Sequence, residues 1–267
     1  MYKLLALDID DTTLTREGKL SDKNRRALTE LEKRGVYVVI ITGRSPKAAY
    51  PVFKTIPVND LCVCFGGAVV RNMRTMETIC ADEIPPELVN ETLEFAYQKG
   101  IVSQIYRGDD VVTEFKNPYT DRYIEYLKLN CVICPEIRCT LNTGIPKILC
   151  FSEENRLKEN IKLFEEHFSG RLKVSASTKN FIELNNPNTD KGRGLEMLCD
   201  ILDIDIKETV AIGDSLLDVP MIVKAGVGIA VENASDDVKR AADIISPDCD
   251  SDAVAWAAER YFSIRIS

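Results

Sequence analysis

Two apolar runs, KLLALDI (3–9) and VYVVII (36–41), flank an amphipathic stretch, and that order restricts the topology more than any other feature of the chain. Each run reads as a buried strand, the second built from β-branched residues. Between them Ser21 is placed as a helix N-cap, Ala27, Leu28 and Leu31 share one face, and Gly35 ends the helix. Strand, helix and strand in this order make a parallel crossover. LCVCF (61–65) extends the sheet. Near the other end TVAIG (209–213), VGIAV (227–231) and ADII (242–245) repeat the pattern, separated by helical stretches around Met221 and Val238 and followed by an amphipathic helix over Ala253 to Tyr261. Both ends of the chain therefore predict an α/β fold on a doubly wound parallel sheet.

The middle follows another rule. A Pro-Pro pair after Ile84 starts a helix that runs to about Lys99, and VSQIYR and VVTEF, joined by GDD, predict a hairpin. Helices near 119–129 and 154–168 follow, with strands at KILCF and at the pair RLKVSAS and NFIELN. This mixture predicts an α+β domain over 83–186, inserted into a first domain made of 1–82 and 187–267, with the turn-rich NNPNTDKG (185–192) as the return hinge.

Composition narrows the function. At 267 residues, 45% hydrophobic and 28% charged, the chain is expected to be soluble and long enough for two cores. A formal net charge of −8 supplies no basic field to gather DNA or RNA, so no nucleic-acid partner is expected. No stretch reaches the roughly 18 to 20 uninterrupted apolar residues of a membrane span, and none is expected. The nine cysteines are odd in number and scattered, and Asp8 and Asp10 interrupt any signal-like apolar run after Met1; reduced thiols and a cytoplasmic location are expected.

Asp8 and Asp10 stand two apart, so in an extended chain their carboxylates leave one face about 7 Å apart, while Asp11 points away. At an effective dielectric of ~20, two carboxylates brought to ~4 Å repel by about 4 kcal/mol. A cation must sit there, or the pair must lie outside the sheet. Three further clusters fall at carboxyl ends of parallel strands, where ligands gather in such sheets. Thr42, Gly43 and Arg44 follow the second strand, offering a hydroxyl and backbone N–H groups to a phosphate oxygen. Lys191 opens a helix in DKGRG, and IGDSLLD places Asp214 directly after a buried strand with Asp218 four residues on. Taken singly these are a turn, a solvated lysine and an N-cap aspartate; together they are far more specific.

In that order, DxDxT, then Thr, then Lys, then GDxxxD, the chain resembles the haloacid dehalogenase superfamily over essentially its whole length, and within it the Cof-type phosphatases with a large α/β cap between the second and third motifs. The resemblance implies a Rossmann-like core with an inserted α+β cap that sets substrate specificity. It implies Asp8 as the nucleophile that becomes an aspartyl-phosphate, and Asp10 as the general acid and then base. It further implies Mg²⁺ held by the Asp8 carboxylate, the Asp10 backbone carbonyl and Asp214. Thr42, the N–H groups of Gly43 and Ile9, and Lys191 would hold phosphate oxygens, and Asp218 would orient Lys191 or a metal-bound water. The implied activity is hydrolysis of small phosphate monoesters, sugar phosphates first among them. The small net negative charge of the insert suits a small phosphorylated metabolite better than a polyanion. A sugar phosphomutase or phosphotransferase and a catalytically weak phosphate-binding protein are the alternatives. A signalling receiver is set aside, because its phosphorylated Asp follows the third strand.

Two positions depart from the family pattern. Leu217 stands where GDxxND carries Asn, and Gly66 where NGA carries Asn, so two side-chain amides are missing. The first loss is expected to cost on the order of 1 kcal/mol of phosphate binding. Elsewhere, CVIC with Cys139 and Cys150 offers thiols at zinc-like spacing, but buried packing is the stronger expectation. His167 is expected at the surface.

Overall fold

The computed structural model describes residues 2–266. The chain forms β1 (Leu4–Leu7), α1 (Asp22–Lys33), β2 (Tyr37–Ile41), α2 (Pro46–Phe53), β3 (Leu61–Cys64), β4 (Val69–Asn72) and β5 (Glu77–Ala81). Helix α1 begins as its sequence dictates: Ser21 Oγ accepts from the Asn24 amide at 3.1 Å, Asp22 lies in the first turn, and Ala27, Leu28 and Leu31 are buried. Gly35, at φ +75°, then turns the chain into β2 in a conformation that costs glycine little.

Next come α3 (Pro86–Gln98), β6 (Ser103–Arg107), β7 (Asp110–Thr113), α4 (Pro118–Leu127), β8 (Cys131–Ile133), α5 (Ile137–Thr140), β9 (Ile148–Phe151), α6 (Leu157–His167), β10 (Lys173–Thr178) and β11 (Phe181–Asn185). The last stretch holds α7 (Lys191–Leu202), β12 (Thr209–Gly213), α8 (Val219–Lys224), β13 (Val227–Ala230), α9 (Asp236–Ala241), β14 (Ile244–Ile245) and α10 (Ala253–Tyr261).

The chain divides into two units: one runs to Cys80 and resumes at Asp190, the other is Ala81–Thr189, and the expected insert 83–186 lies inside the second. Among the described residues the first unit carries an eight-stranded sheet in the order β14-β13-β12-β1-β2-β3-β4-β5. Pairing is parallel from β14 through β3, and β4 returns antiparallel to β3. Leu4, Ala6, Val39, Ile41, Val63 and Ala211 pack against Leu195 and Leu198 of α7 and Met221 of α8. The alternation of β1 turns Leu5 and Leu7, both fully buried, to the other face. There α1 and α10 lie side by side, and the Ala255 amide donates to Asn24 Oδ1 at 2.9 Å. Each leucine so buried contributes about 1.5–3 kcal/mol.

The second unit carries a six-stranded sheet, β10-β11-β9-β6-β7-β8, whose Ile105, Ile148 and Ile182 pack against Leu93 of α3 and Phe164 of α6. Its pairings are antiparallel except β7 with β8.

Five elements have no counterpart among the expected ones: α2, β4, β5, β8 and α5. Pro46 and Pro51 hide α2, although Ser45 caps it by accepting from the Ala48 amide at 3.3 Å and Pro46 occupies its first turn. The reversal into β4 is made by Phe65, Gly66 and Gly67 at φ 54°, 70° and 116°, and the Gly-Gly pair is the turn signal that the sequence carries for it. CVIC, read for its thiols, begins as β8, a sheet-edge strand of three residues.

Candidate active site

The register of the sheet levels three strand ends. Leu7 of β1 pairs with Ile212 of β12 on one side and with Ile40 of β2 on the other, so the residues that follow these strands share one edge. β1 stops at Leu7, and Asp8 and Asp10 therefore lie outside the strand, not on one of its faces. Asp8 is extended (φ −72°, ψ 159°), Asp10 is also extended, and Asp11 takes the left-handed conformation at φ 53°. The turn is closed by the Thr13 hydroxyl donating to the Asp8 carbonyl at 2.6 Å and the Leu14 amide donating to the Ile9 carbonyl at 2.9 Å. Asn233 Nδ2 caps its outer side by donating to the Asp11 carbonyl at 2.7 Å.

These conformations send the two carboxylates to different partners. Asp8 is 7% exposed, and its Oδ1 accepts from Lys191 Nζ. The Asp10 side chain is 57% exposed and forms an ion pair with Arg44, whose Nε donates to Oδ2 at 3.0 Å and whose Nη2 donates to Oδ1 at 2.5 Å. Arg44 is the partner that sequence reasoning did not assign.

Lys191 also donates to Oδ1 of Asp218, which is completely buried. The other oxygen of Asp218 accepts from the Asp214 amide at 3.2 Å, the Ser215 amide at 2.9 Å and the Ser215 hydroxyl at 2.7 Å, so one carboxylate shapes the loop and anchors the lysine. Asp214 Oδ1 accepts from the Thr12 hydroxyl at 3.0 Å. Carboxylate oxygens of Asp8, Asp214 and Asp218 lie within 4.8 Å of one another. Tight backbone approach makes this possible: a Cβ on Gly213 would overlap the Asp218 side chain, and one on Gly67 would overlap the Asp190 carbonyl just before Lys191. Asp190 in turn caps α7, accepting from the Arg193 amide at 2.8 Å.

Three carboxylates around one ammonium leave the cluster short of positive charge. Burial raises the Asp8 carboxyl to about 8; the charges of Asp218 and Asp214 add to the rise, and Lys191 opposes it. Burial likewise raises Asp214 to about 6, with Asp218 adding and Thr12 and Lys191 opposing. For Lys191 burial pulls downward, but Asp218 and Asp8 outweigh it and hold the amine charged. The cluster fits a hard divalent cation, since its donors are all oxygen and its surplus charge is negative.

The remaining candidates fall as follows. Ile9 is buried in the turn after Asp8; Thr42 is buried beyond β2, with Gly43 between it and Arg44, and its hydroxyl accepts from the Arg44 amide at 3.3 Å. Leu217 is half-buried in the loop between Asp214 and Asp218, and Gly66 sits at φ 70° with no atom within 4 Å of a built Cβ. Thr12 and Ser215 were missed, although the threonine of DxDxT and the serine of GDS were visible as motif positions. A second acidic group, Asp248 and Asp250 flanking Cys249, is held by Arg16; Cys131, Cys134, Cys139 and Cys150 join neither metal-capable group among the described residues, and only Cys150 is buried as expected, Cys131 and Cys134 being half-buried and Cys139 exposed. His167 is exposed and stacks on Phe95 with centroids 4.0 Å apart.

Residues 5–257 match the family model of the haloacid dehalogenase-like hydrolases. The chain belongs to this family. Among similar proteins of this haloacid dehalogenase-like hydrolase are a 5-amino-6-(5-phospho-D-ribitylamino)uracil phosphatase of Bacillus subtilis, 29% identical over 97% of this chain and 95% of that one. A pyridoxal phosphate phosphatase of Escherichia coli is 23% identical over 95% and 96%. A solved haloacid dehalogenase-like hydrolase from Bacteroides thetaiotaomicron superposes with a TM-score of 0.86 at 28% identity, covering 97% of this chain and 99% of that one. No helix among the described residues is long and apolar enough to cross a membrane.

Proposed function

We propose that this haloacid dehalogenase-like hydrolase is a magnesium-dependent cytoplasmic phosphatase of small phosphorylated metabolites, sugar phosphates or similar esters, working through a phosphorylated Asp8. The observation that carries the reading is the buried Asp8 carboxylate, held by Lys191 beside Asp214 and Asp218 at the carboxyl edge of the sheet.

In the first half-reaction an Asp8 oxygen bonds to phosphorus as the ester P–O bond breaks, and Asp10 gives its proton to the departing alkoxide. In the second, water attacks the phosphorus of the aspartyl-phosphate, its proton passes to Asp10, and Asp8 and inorganic phosphate are released. Lys191, Thr42 and the amides of Ile9 and Gly43 hold the phosphoryl oxygens, while Asp218 fixes Lys191. The carboxylates of Asp8 and Asp214, with the Asp10 carbonyl, would hold Mg²⁺, which when bound offsets the clustered negative charge and that of the transferring group. Positioning and charge are most of what phosphoryl transfer requires. The first unit is the catalytic core, and the insert supplies the side chains that choose the ester.

A screen of phosphorylated sugars, nucleotides and cofactors with magnesium, using Asp8→Asn as the blank, tests this. Phosphate release by the parent and none by the variant is expected. No release from any ester at millimolar concentration would leave only a phosphate-binding protein, and transfer of label between bisphosphorylated sugars without release would make it a mutase.

A further inference from the structure

We propose that Arg44 is the positioning residue for Asp10: its guanidinium fork fixes the direction in which the Asp10 carboxylate faces the leaving group. The proposal rests on the reading of Asp10 as the proton donor and acceptor.

Asp10 needs such a device. It sits on an irregular turn, one residue before the left-handed Asp11, and more than half of its side chain is open to solvent. An exposed aspartate there samples several rotamers, and misplacement of a reacting group by about 1 Å costs on the order of 10²-fold in rate. Arg44 removes that freedom by engaging both carboxylate oxygens, through Nε at 3.0 Å and Nη2 at 2.5 Å. A carboxylate offers about four acceptor positions, so a two-pronged contact leaves one on each oxygen for the proton.

Arg44 is itself held. Its amide donates to Thr42 Oγ1 at 3.3 Å, its carbonyl accepts from the Phe65 amide at 2.9 Å, and Nη1 lies 3.4 Å from the Ala48 carbonyl. The loop that carries Thr42 therefore also sets the bearing of Asp10. A lysine would keep the charge but could not reproduce the planar fork.

The test is a series of phosphate monoesters running from p-nitrophenyl phosphate to alkyl phosphates, read as kcat/KM with saturating magnesium. A good leaving group departs without a proton, whereas an alkoxide needs one. In Arg44→Ala, kcat/KM for the alkyl esters is expected to fall about tenfold or more beyond the fall for p-nitrophenyl phosphate, a fraction of the usual general-acid contribution. Arg44→Lys should fall between the alanine variant and the parent, and it serves alone if Arg44→Ala does not fold. Parallel losses across the series, or complete recovery by lysine, would overturn the proposal. A parent protein inactive on every ester would instead overturn the phosphatase reading on which it rests.

Discussion

The hydroxyl of Thr12 donates to a carboxylate oxygen of Asp214 at 3.0 Å across 202 positions of sequence. The contact ties the turn after β1 to the loop after β12, the two places that supply acidic groups to the cluster. On the proposed reading, in which Asp214 holds magnesium, such an outer partner would set the direction of its lone pairs.

Thr12 is completely buried, so Thr12→Val keeps the shape and removes only the donor. The magnesium concentration for half-maximal phosphate release is expected to rise about tenfold, the lower end for loss of such a partner. Denaturant titration should show a loss of about 1 kcal/mol.

Gly66 and Gly67 are adjacent but should respond in opposite ways. Gly67→Ala sets a Cβ on the Asp190 carbonyl at φ +116°, where neither backbone can yield freely, and is expected to lower stability by about 3 kcal/mol or more. Gly66→Asn places the family's residue in open space at φ +70°, which asparagine tolerates, and should change stability by less than about 1 kcal/mol. Paired urea melts of the two variants decide the matter.

Leu217 lies between Asp214 and Asp218, whose positions are fixed by the bonds of Asp218 to the loop amides. Leu217→Asn adds an amide donor without touching them, and is expected to raise turnover of simple phosphate esters severalfold, on the order of 1 kcal/mol of phosphate binding. Steady-state kinetics on several esters check it; a variant no faster than the parent on any of them would remove this account of the position.

Much of the core was legible because its strands are continuous apolar runs: TVAIG is β12 residue for residue, and Ser21 caps α1 as its side chain predicts. The meeting of Asp8, Lys191, Asp214 and Asp218 was legible through the order of four motifs, each at the end of a buried strand or the start of a helix. The divergence of Asp8 and Asp10 was not, because it follows from where β1 stops and from the irregular turn that the chain enters at Ile9, between the two extended aspartates. The Arg44 pair and the Thr12 contact were hidden for a related reason: each joins residues from separate loops, and no local period encodes a partner 34 or 202 positions away. The turn into β4, by contrast, is legible in the Gly66-Gly67 pair, and only the left-handed Phe65 before it carries no sequence signal.

An apolar sheet that gathers three acid groups around one ammonium at its rim carries surplus negative charge that a divalent cation would offset. The heat tolerance of such a fold becomes a property of its ionic medium: a chelator should soften it, and magnesium at about 100 times the dissociation constant should restore about 2.7 kcal/mol. The chain would then report the divalent content of its surroundings through its own rigidity, before any ester is bound.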